Sequence, residues 1–117
     1  PVIKLTENIG LLPIVGDIDS TRARAINEST LQQSADNQIS SLIIDLSGVF
    51  IVDTLVAHRL FQMIEALKLI GVEVIMTGIR AEVAQTSIQL GIDFSCIQTE
   101  SSVAQAFTKL GIIIKEQ

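Results

Sequence analysis

The amino-acid sequence predicts an α/β fold: a mixed, mostly parallel β-sheet with four helices and an N-terminal antiparallel hairpin at one edge. Short apolar runs alternate with longer segments of helical periodicity along the chain, which is the pattern of parallel strands joined by right-handed crossover helices. The composition agrees with this class. The chain is 48% hydrophobic but only 3% aromatic, with no Trp or Tyr, so Ile, Leu, Val and Ala must form the core.

The first two strands are predicted to form a β-hairpin over residues 2–5 and 10–15. A turn-like Glu7-Asn8 separates these apolar stretches, and so short a connection is typical of antiparallel strands. Pro13 cannot donate a ladder hydrogen bond, so it favours an edge or a bulge in the second strand. A polar helix with a thin apolar face is predicted next, over residues 21–36, and Asp17, Asp19 and Ser20 offer caps ahead of it.

A central strand is predicted at residues 42–46, because this compact apolar run is typical of a strand buried on both faces. After a turn at Ser47-Gly48, Asp53 and Thr54 are expected to open the strongest helix of the chain. Its apolar face consists of residues at helical spacing, namely Val56, Leu60, Met63, Ile64 and Leu67.

The remainder alternates strand and helix: residues 72–76, 81–90, 94–97 and 101–110. The last helix is expected to turn Val103, Phe107 and Leu110 inward. Each of the last three helices ends in a glycine followed by an apolar residue, a pattern that indicates a left-handed C′ position. These glycines are Gly71, Gly91 and Gly111. The role of the apolar residues 112–114 is left open.

Charge and length exclude several classes of protein. The net charge of −5 and the pI near 4.6 argue against binding nucleic acid, which requires a concentrated positive surface. No apolar run approaches the roughly 20 residues of a membrane span, and no signal peptide opens the chain. We therefore expect one cytoplasmic domain over residues 1–117. Because the chain begins with Pro1 rather than Met, we expect it to be part of a longer protein.

The residues that could serve in catalysis or metal binding predict no enzyme and no cofactor. His58 lies one helical turn after Thr54, but a nucleophile-base pair also needs an orienting group and an oxyanion hole. His58 and the single cysteine, Cys96, have no metal-ligand spacing. Cys96 lies between apolar neighbours, Phe94 and Ile97, which predicts a buried thiol in a reducing compartment.

Other candidate groups are explained more simply by structure. Asp17 and Asp19 near the first helix are better explained as caps than as an acid-base pair, and Asp45 at the end of the central strand is interpreted in the same way. Gly48 and Gly78 each stand alone after a strand, whereas phosphate-cradling loops need several glycines.

Residues 45–54 are the most unusual segment, because a buried strand and a loop deliver a hydroxyl residue to the first turn of a helix. The positive end of a helix stabilises an added phosphate. From the residues alone two interpretations stay open. In the first, Thr54 is an exposed modification site. In the second, either Thr54 or Asp53 simply caps the helix.

This segment resembles the signature of STAS domains, the fold of bacterial anti-sigma-factor antagonists. In that signature a strand ending in Asp-Leu-Ser-Gly precedes Asp-Ser or Asp-Thr, as residues 45–48 and 53–54 do here. Residues 13–19, 52–58 and 78–86 are similar to the C-terminal domains of stressosome scaffold and co-antagonist proteins. The likeness runs from about residue 2 to residue 110. It departs at Ala81, where related scaffolds often carry a proline.

The resemblance implies a phosphorylation-controlled protein-interaction module of a stressosome that holds and releases a switch kinase. Thr54 would be the principal phosphoacceptor and Thr86 a second one, with Ser87 or a merely back-bonding threonine as alternatives. Asp53, Thr54, Leu55 and His58 would contact partners. Those partners would be a serine/threonine switch kinase, sister STAS proteins and further copies of the chain.

The resemblance also implies an N-terminal sensory domain in the parent protein. The rival interpretation is a small-molecule or nucleotide-sensing regulatory module, as in transporter-attached STAS domains. Those domains are fused to a membrane span, and the acidic, span-free sequence argues against that class. Calorimetry against nucleotides would separate the two functions.

Overall fold

The computed structural model describes residues 1–92 and 96–111. Strands and helices alternate after an initial pair of strands, as the sequence predicts. The strands are β1 (Ile3–Lys4), β2 (Ile9–Val15), β3 (Ser41–Gly48), β4 (Glu73–Thr77) and β5 (Gln98–Glu100). The helices are α1 (Ser20–Asp36), α2 (Thr54–Leu69), α3 (Ala81–Gln89) and α4 (Val103–Leu110).

The five strands form one sheet in the order β1-β2-β3-β4-β5. β1 pairs antiparallel with β2, and every other pair is parallel. The predicted mixed sheet with a hairpin at its edge is therefore confirmed. β3 lies at the centre, and Leu42, Ile43 and Ile44 are at most 1% exposed. Because successive side chains point to opposite faces, both faces of β3 are covered.

Helices cover the two faces unequally. The larger core contains the apolar stripe of α2, whose residues Val56, Met63 and Leu67 are completely buried. α1 packs against α2, and its buried face is thin, consisting of Ala23, Thr30 and Ser34. On the opposite face α4 covers a smaller cluster. That cluster comprises Ile43, Ile75 and Ala106, with Val103, Phe107 and Leu110 packed against it as predicted.

Helix boundaries follow local chemistry. Asp19 is the N-cap of α1, and its Oδ1 accepts a hydrogen bond from the backbone N–H of Arg22 at 2.7 Å. Gly71, Gly91 and Gly111 follow three helices with φ of +86°, +77° and +74°, a region that side chains disfavour. The predicted glycine ends of α2, α3 and α4 are confirmed.

The end of β2 is irregular, as Pro13 predicts. The register between β2 and β3 shifts between Pro13 and Val15, and Val15 then pairs with Gly48. This pairing extends β3 through Gly48. The predicted turn at Ser47-Gly48 was therefore wrong, because both residues belong to β3 and Gly48 still pairs with β2 beyond the bulge.

The prediction of a strand at residues 94–97 was also wrong where the structure describes it. Ile97 is a bend residue, 7% exposed, that packs in the main core, and β5 begins only at Gln98. Cys96 lies in a turn and is exposed rather than buried. Its carbonyl oxygen accepts a hydrogen bond from Lys68 Nζ at 2.7 Å. Phe94 and the apolar tail at 112–114 lie outside the described residues.

Within the described ranges, no helix is long and apolar enough to cross a membrane.

Candidate functional site

The loop between β3 and α2, residues 49–53, lies at the carboxyl end of the central strand. Val49 and Val52 are buried, at 0% and 8% exposure, whereas Phe50 and Ile51 between them are 56% and 70% exposed. The backbone N–H of Val49 also donates to the carbonyl of Leu46 at 2.9 Å. Two valines therefore anchor the loop and hold two large apolar side chains in solvent.

Asp53, and not Thr54, caps α2. The Asp53 backbone is extended, with φ −90° and ψ 171°, and its Oδ1 accepts a hydrogen bond from the Val56 N–H at 2.8 Å. Its carbonyl begins the helical ladder by accepting from the Ala57 N–H at 3.0 Å. Because the carboxylate satisfies the free amide, the hydroxyl of Thr54 is not needed for capping. Thr54 is the first helical residue and is exposed.

Exposed apolar side chains lie on the segments next to this threonine in the chain and at the strand end before its loop. Leu55 is 50% exposed, and Val15, which pairs with Gly48 just before the loop, is 62% exposed. We call the set Val15, Phe50, Ile51, Thr54 and Leu55 the Thr54 surface. It combines a reachable hydroxyl with apolar area, and protein interfaces have this composition at their centres.

The predicted partner-binding residues lie together at the start of α2. Asp53, Thr54, Leu55 and His58 are all exposed, and the i, i+4 spacing places Thr54 and His58 on one face of the helix. Among the hydrogen bonds of residues 1–92 and 96–111, none joins His58 to Thr54. This arrangement therefore gives no sign of the nucleophile-base contact that catalysis would require.

Asp45 ties the ends of β3 and β4 together. Its Oδ1 accepts a hydrogen bond from the hydroxyl of the completely buried Thr77 at 2.8 Å, and its Oδ2 accepts from Ser47 Oγ at 2.6 Å. The interpretation of Asp45 as a cap was wrong, because it lies inside a strand. Gly78 follows with φ +67°, and a Cβ there would lie 2.8 Å from Asp45 Oδ1. The glycine permits this close approach.

Arg80 lies against the same loop. Its guanidinium carbon is 3.8 Å from the centroid of the Phe50 ring, a distance typical of a cation–π contact. Arg80 is also the N-cap residue of α3, where it makes no side-chain capping bond. Its Nε is buried without a hydrogen-bond partner. The contact therefore joins the loop that precedes Thr54 to the start of the next helix.

The second predicted phosphoacceptor lies on α3. Thr86 is half-buried, whereas Ser87 is 2% exposed. Ser87 lines a small void of about 20 Å³ in the core together with side chains of β3, β4, α2, α3 and the loop before α2. A buried hydroxyl is a poor substrate for another protein, so the geometry favours Thr86 over Ser87.

The sequence interpretation missed Val15, Phe50, Ile51 and Arg80. The available signal was the apolar run at residues 49–52 within a predicted loop. Four apolar residues cannot all be buried in a connection of five, so some of them had to face solvent.

A groove of about 780 Å³ lies elsewhere, between α3 and β5. Apolar residues of α3 and its flanks form one side, and the end of β5 forms the other. Its lining comprises Ile79, Ala84, Ile88, Gly91, Ile92, Thr99, Glu100 and Ser101. Within the part of the chain that the structure describes, no cluster of three or more His, Cys, Asp or Glu residues could hold a metal ion.

Two relatives from Bacillus subtilis (strain 168) match almost the whole chain. RsbT co-antagonist protein RsbRD is 50% identical over 116 residues, and RsbT co-antagonist protein RsbRB is 57% identical over 106 residues. These matches cover 99% and 91% of this chain but 42% and 38% of the relatives. The chain therefore spans about two fifths of the length of these relatives.

The fold has close structural neighbours. Moorella thermoacetica RsbS superposes with a TM-score of 0.82 at 24% identity, covering 95% of this chain and 93% of that one. At this identity the likeness shows the fold alone. The family model described as the STAS domain matches residues 1–106, which confirms the resemblance inferred from residues 45–54. The chain belongs to the STAS domain family.

Proposed function

We propose that the chain is a phosphorylation-controlled protein-interaction module of a stressosome, which holds a serine/threonine switch kinase and sister STAS proteins and releases the kinase on modification. The observation that carries this proposal is that the cap of α2 and its exposed hydroxyl come from two different residues. Asp53 caps the helix through Val56, while Thr54 is exposed and follows a loop that carries exposed apolar side chains.

The chemistry of a phosphate at this position supports a switch. Phosphorylation adds about −1.5 to −2 charges at neutral pH. The helix N-terminus stabilises that charge in the free domain, so the modified state is tolerated. In a docked complex the same charge would have to lose its water against Phe50, Ile51 and Leu55, which is costly. Asp53 would add repulsion, and the partner would be released.

The relatives support this class of function. RsbRD and RsbRB are both named as co-antagonists of RsbT, and both extend well beyond the region matched here. By analogy we infer that this domain acts through binding, without a chemical reaction of its own. Self-association through STAS surfaces would then assemble many copies into one complex.

The test is retention of the kinase and of a sister STAS protein by three variants of the immobilised chain. Thr54→Asp is expected to lose most of the kinase, and Thr54→Ala to retain it. Thr21→Asp is the matched control, because Thr21 is also an exposed threonine in the first turn of a helix. Equal retention of both partners by all three variants would reject the switch.

Thr86 is proposed as a second phosphoacceptor, supported by its partial exposure beside the buried Ser87. The test is phosphopeptide mapping after incubation of the wild-type chain and of Thr54→Val with the kinase. Phosphate on Thr86 is expected in at least one of the two. Phosphate confined to Thr54 would reject Thr86 as a phosphoacceptor. Phosphate on the buried Ser87 would show that α3 opens before modification.

A further inference from the structure

The loop that leads to Thr54 is in direct contact with the residue that opens the helix carrying Thr86. Phe50 lies on the loop, four residues before Thr54 at the start of α2, and Arg80 is the N-cap residue of α3, which carries Thr86. The guanidinium of Arg80 lies 3.8 Å from the centroid of the Phe50 ring. A movement of either side chain therefore changes the contact between the loop and the start of α3.

The loop and α3 also meet at one place in the core. Val52 of the loop, Val83 of α3 and Ser87 line the same small void in the core. Both valines are at most 8% exposed, so the loop and α3 border the same part of the core. The loop and α3 are therefore neighbours in the core, and the Arg80–Phe50 contact joins them directly.

Arg80 is poorly satisfied where it lies. Its Nε is buried and has no hydrogen-bond partner. The ring it contacts is 56% exposed, and a cation–π contact at such a site is weak. A phosphate offers charge-assisted, bidentate hydrogen bonds that a guanidinium prefers to an aromatic face.

Resting on the proposed function, we infer that Arg80 couples the two phosphorylation sites. A phosphate on Thr54 attracts the guanidinium away from Phe50, and the first turn of α3 thereby loses its contact with the loop. α3 has nine residues and no side-chain cap, so it depends on such contacts. Thr86 is half-buried in this helix, and its access to an enzyme follows the opening of α3.

The test requires no kinase, so its outcome is independent of whether the proposed partner binds. Phosphothreonine is incorporated at position 54 during translation, and amide hydrogen exchange of residues 81–87 is measured by NMR. The phosphate is expected to accelerate exchange about two- to fivefold, which is the factor by which losing an exposed cation–π contact shifts an equilibrium. No change in exchange would overturn the inference, even if the kinase pulldown succeeded.

Variants of Arg80 separate coupling from a merely structural role. In Arg80→Gln without phosphate, the amides of residues 81–87 are expected to exchange faster than in the wild type. Phosphate at position 54 should cause no further change in their exchange. Arg80→Lys, which keeps the charge, should restore part of the response. Arg24→Gln is the matched control, because Arg24 is an exposed arginine on α1 that pairs with Glu28, and it should respond as the wild type does. A full response to phosphate in Arg80→Gln would overturn the inference.

Fluorescence gives a direct measurement of the contact itself. The chain has no tryptophan, so Phe50→Trp would contain a single indole beneath the guanidinium. Phosphate at position 54 is expected to change the indole emission in this variant. The change should disappear when Arg80→Gln is added, and its persistence there would contradict the proposed movement of Arg80.

Discussion

Asp53 Oδ1 accepts a hydrogen bond from the backbone N–H of Val56 at 2.8 Å, and the neighbouring Thr54 is exposed to solvent. The carboxylate occupies the amide that a threonine hydroxyl would otherwise cap. Asp53 therefore has a structural role, and Thr54 has the proposed regulatory role. Replacing Asp53 should lower stability while the phosphoacceptor remains.

Asp53→Ala is expected to lower the free energy of unfolding by about 0.5–2 kcal/mol, the usual cost of losing an N-cap. Asp53→Asn keeps an acceptor of similar quality and should stay close to the wild type. Urea denaturation followed by circular dichroism measures both. If the Ala variant proved as stable as the Asn variant, the capping bond would contribute nothing.

Gly78→Ala is expected to destabilise the chain more than Gly71→Ala does. Both glycines have positive φ, so both substitutions incur about 1–2 kcal/mol of backbone strain. A Cβ at Gly71 meets nothing within 4 Å, whereas at Gly78 it would lie 2.8 Å from Asp45 Oδ1 and 3.0 Å from the Ser47 amide nitrogen. Overpacking adds roughly 1–3 kcal/mol. Equal midpoints in urea for the two variants would contradict this account.

Thr77→Val removes the hydroxyl that donates to Asp45 while preserving shape in a completely buried position. Because the acceptor is a carboxylate, the expected loss is about 1.5–3 kcal/mol of unfolding free energy. Thr99→Val on the neighbouring strand β5 is the control, since Thr99 is exposed and surface changes usually stay within about 0.5 kcal/mol. A loss no larger than in the control would show that the Asp45 contact is dispensable.

Ile51→Ser tests the Thr54 surface. Ile51 is 70% exposed, so the folded state should keep its stability to within about 0.5 kcal/mol. Binding to a sister STAS protein or to the kinase should weaken about fivefold or more, which is the effect of losing a significant interface side chain. Surface plasmon resonance measures it.

Leu69→Ser is the matched control for Ile51→Ser. Leu69 is 88% exposed at the other end of α2, so it presents comparable apolar area away from Thr54. This variant should bind as the wild type does. Equal weakening by both substitutions would show that binding does not depend on the Thr54 surface.

Elements with strong local signals were predicted well. The amphipathic stripe of α2, the glycine after it and the bulge at Pro13 all follow from the chemistry of single residues and their near neighbours. β5 was placed too early. It is a short edge strand in which Gln98 and Thr99 are exposed, so it has no apolar alternation, and the buried Ile97 ahead of it produced the apolar signal instead.

Side-chain direction at the site was harder to predict. Four consecutive apolar residues, 49–52, showed that the loop was unusual, but not which of them would be buried. Packing decides this, because Val49 and Val52 fill the core while Phe50 contacts Arg80, 30 positions away in the sequence. Contacts between such distant residues have no local signature.

The sequence by itself determined the α/β class, the order of the elements and the presence of a hydroxyl at the start of α2, because periodicity and helix-end chemistry act over a few residues. Only the tertiary structure decided that Asp53 is the cap, that Thr54 and the apolar side chains near it in the chain are exposed, and that Arg80 contacts the loop before it. These features depend on backbone angles and on contacts between separate elements, which arise only when the sheet and its helices pack together.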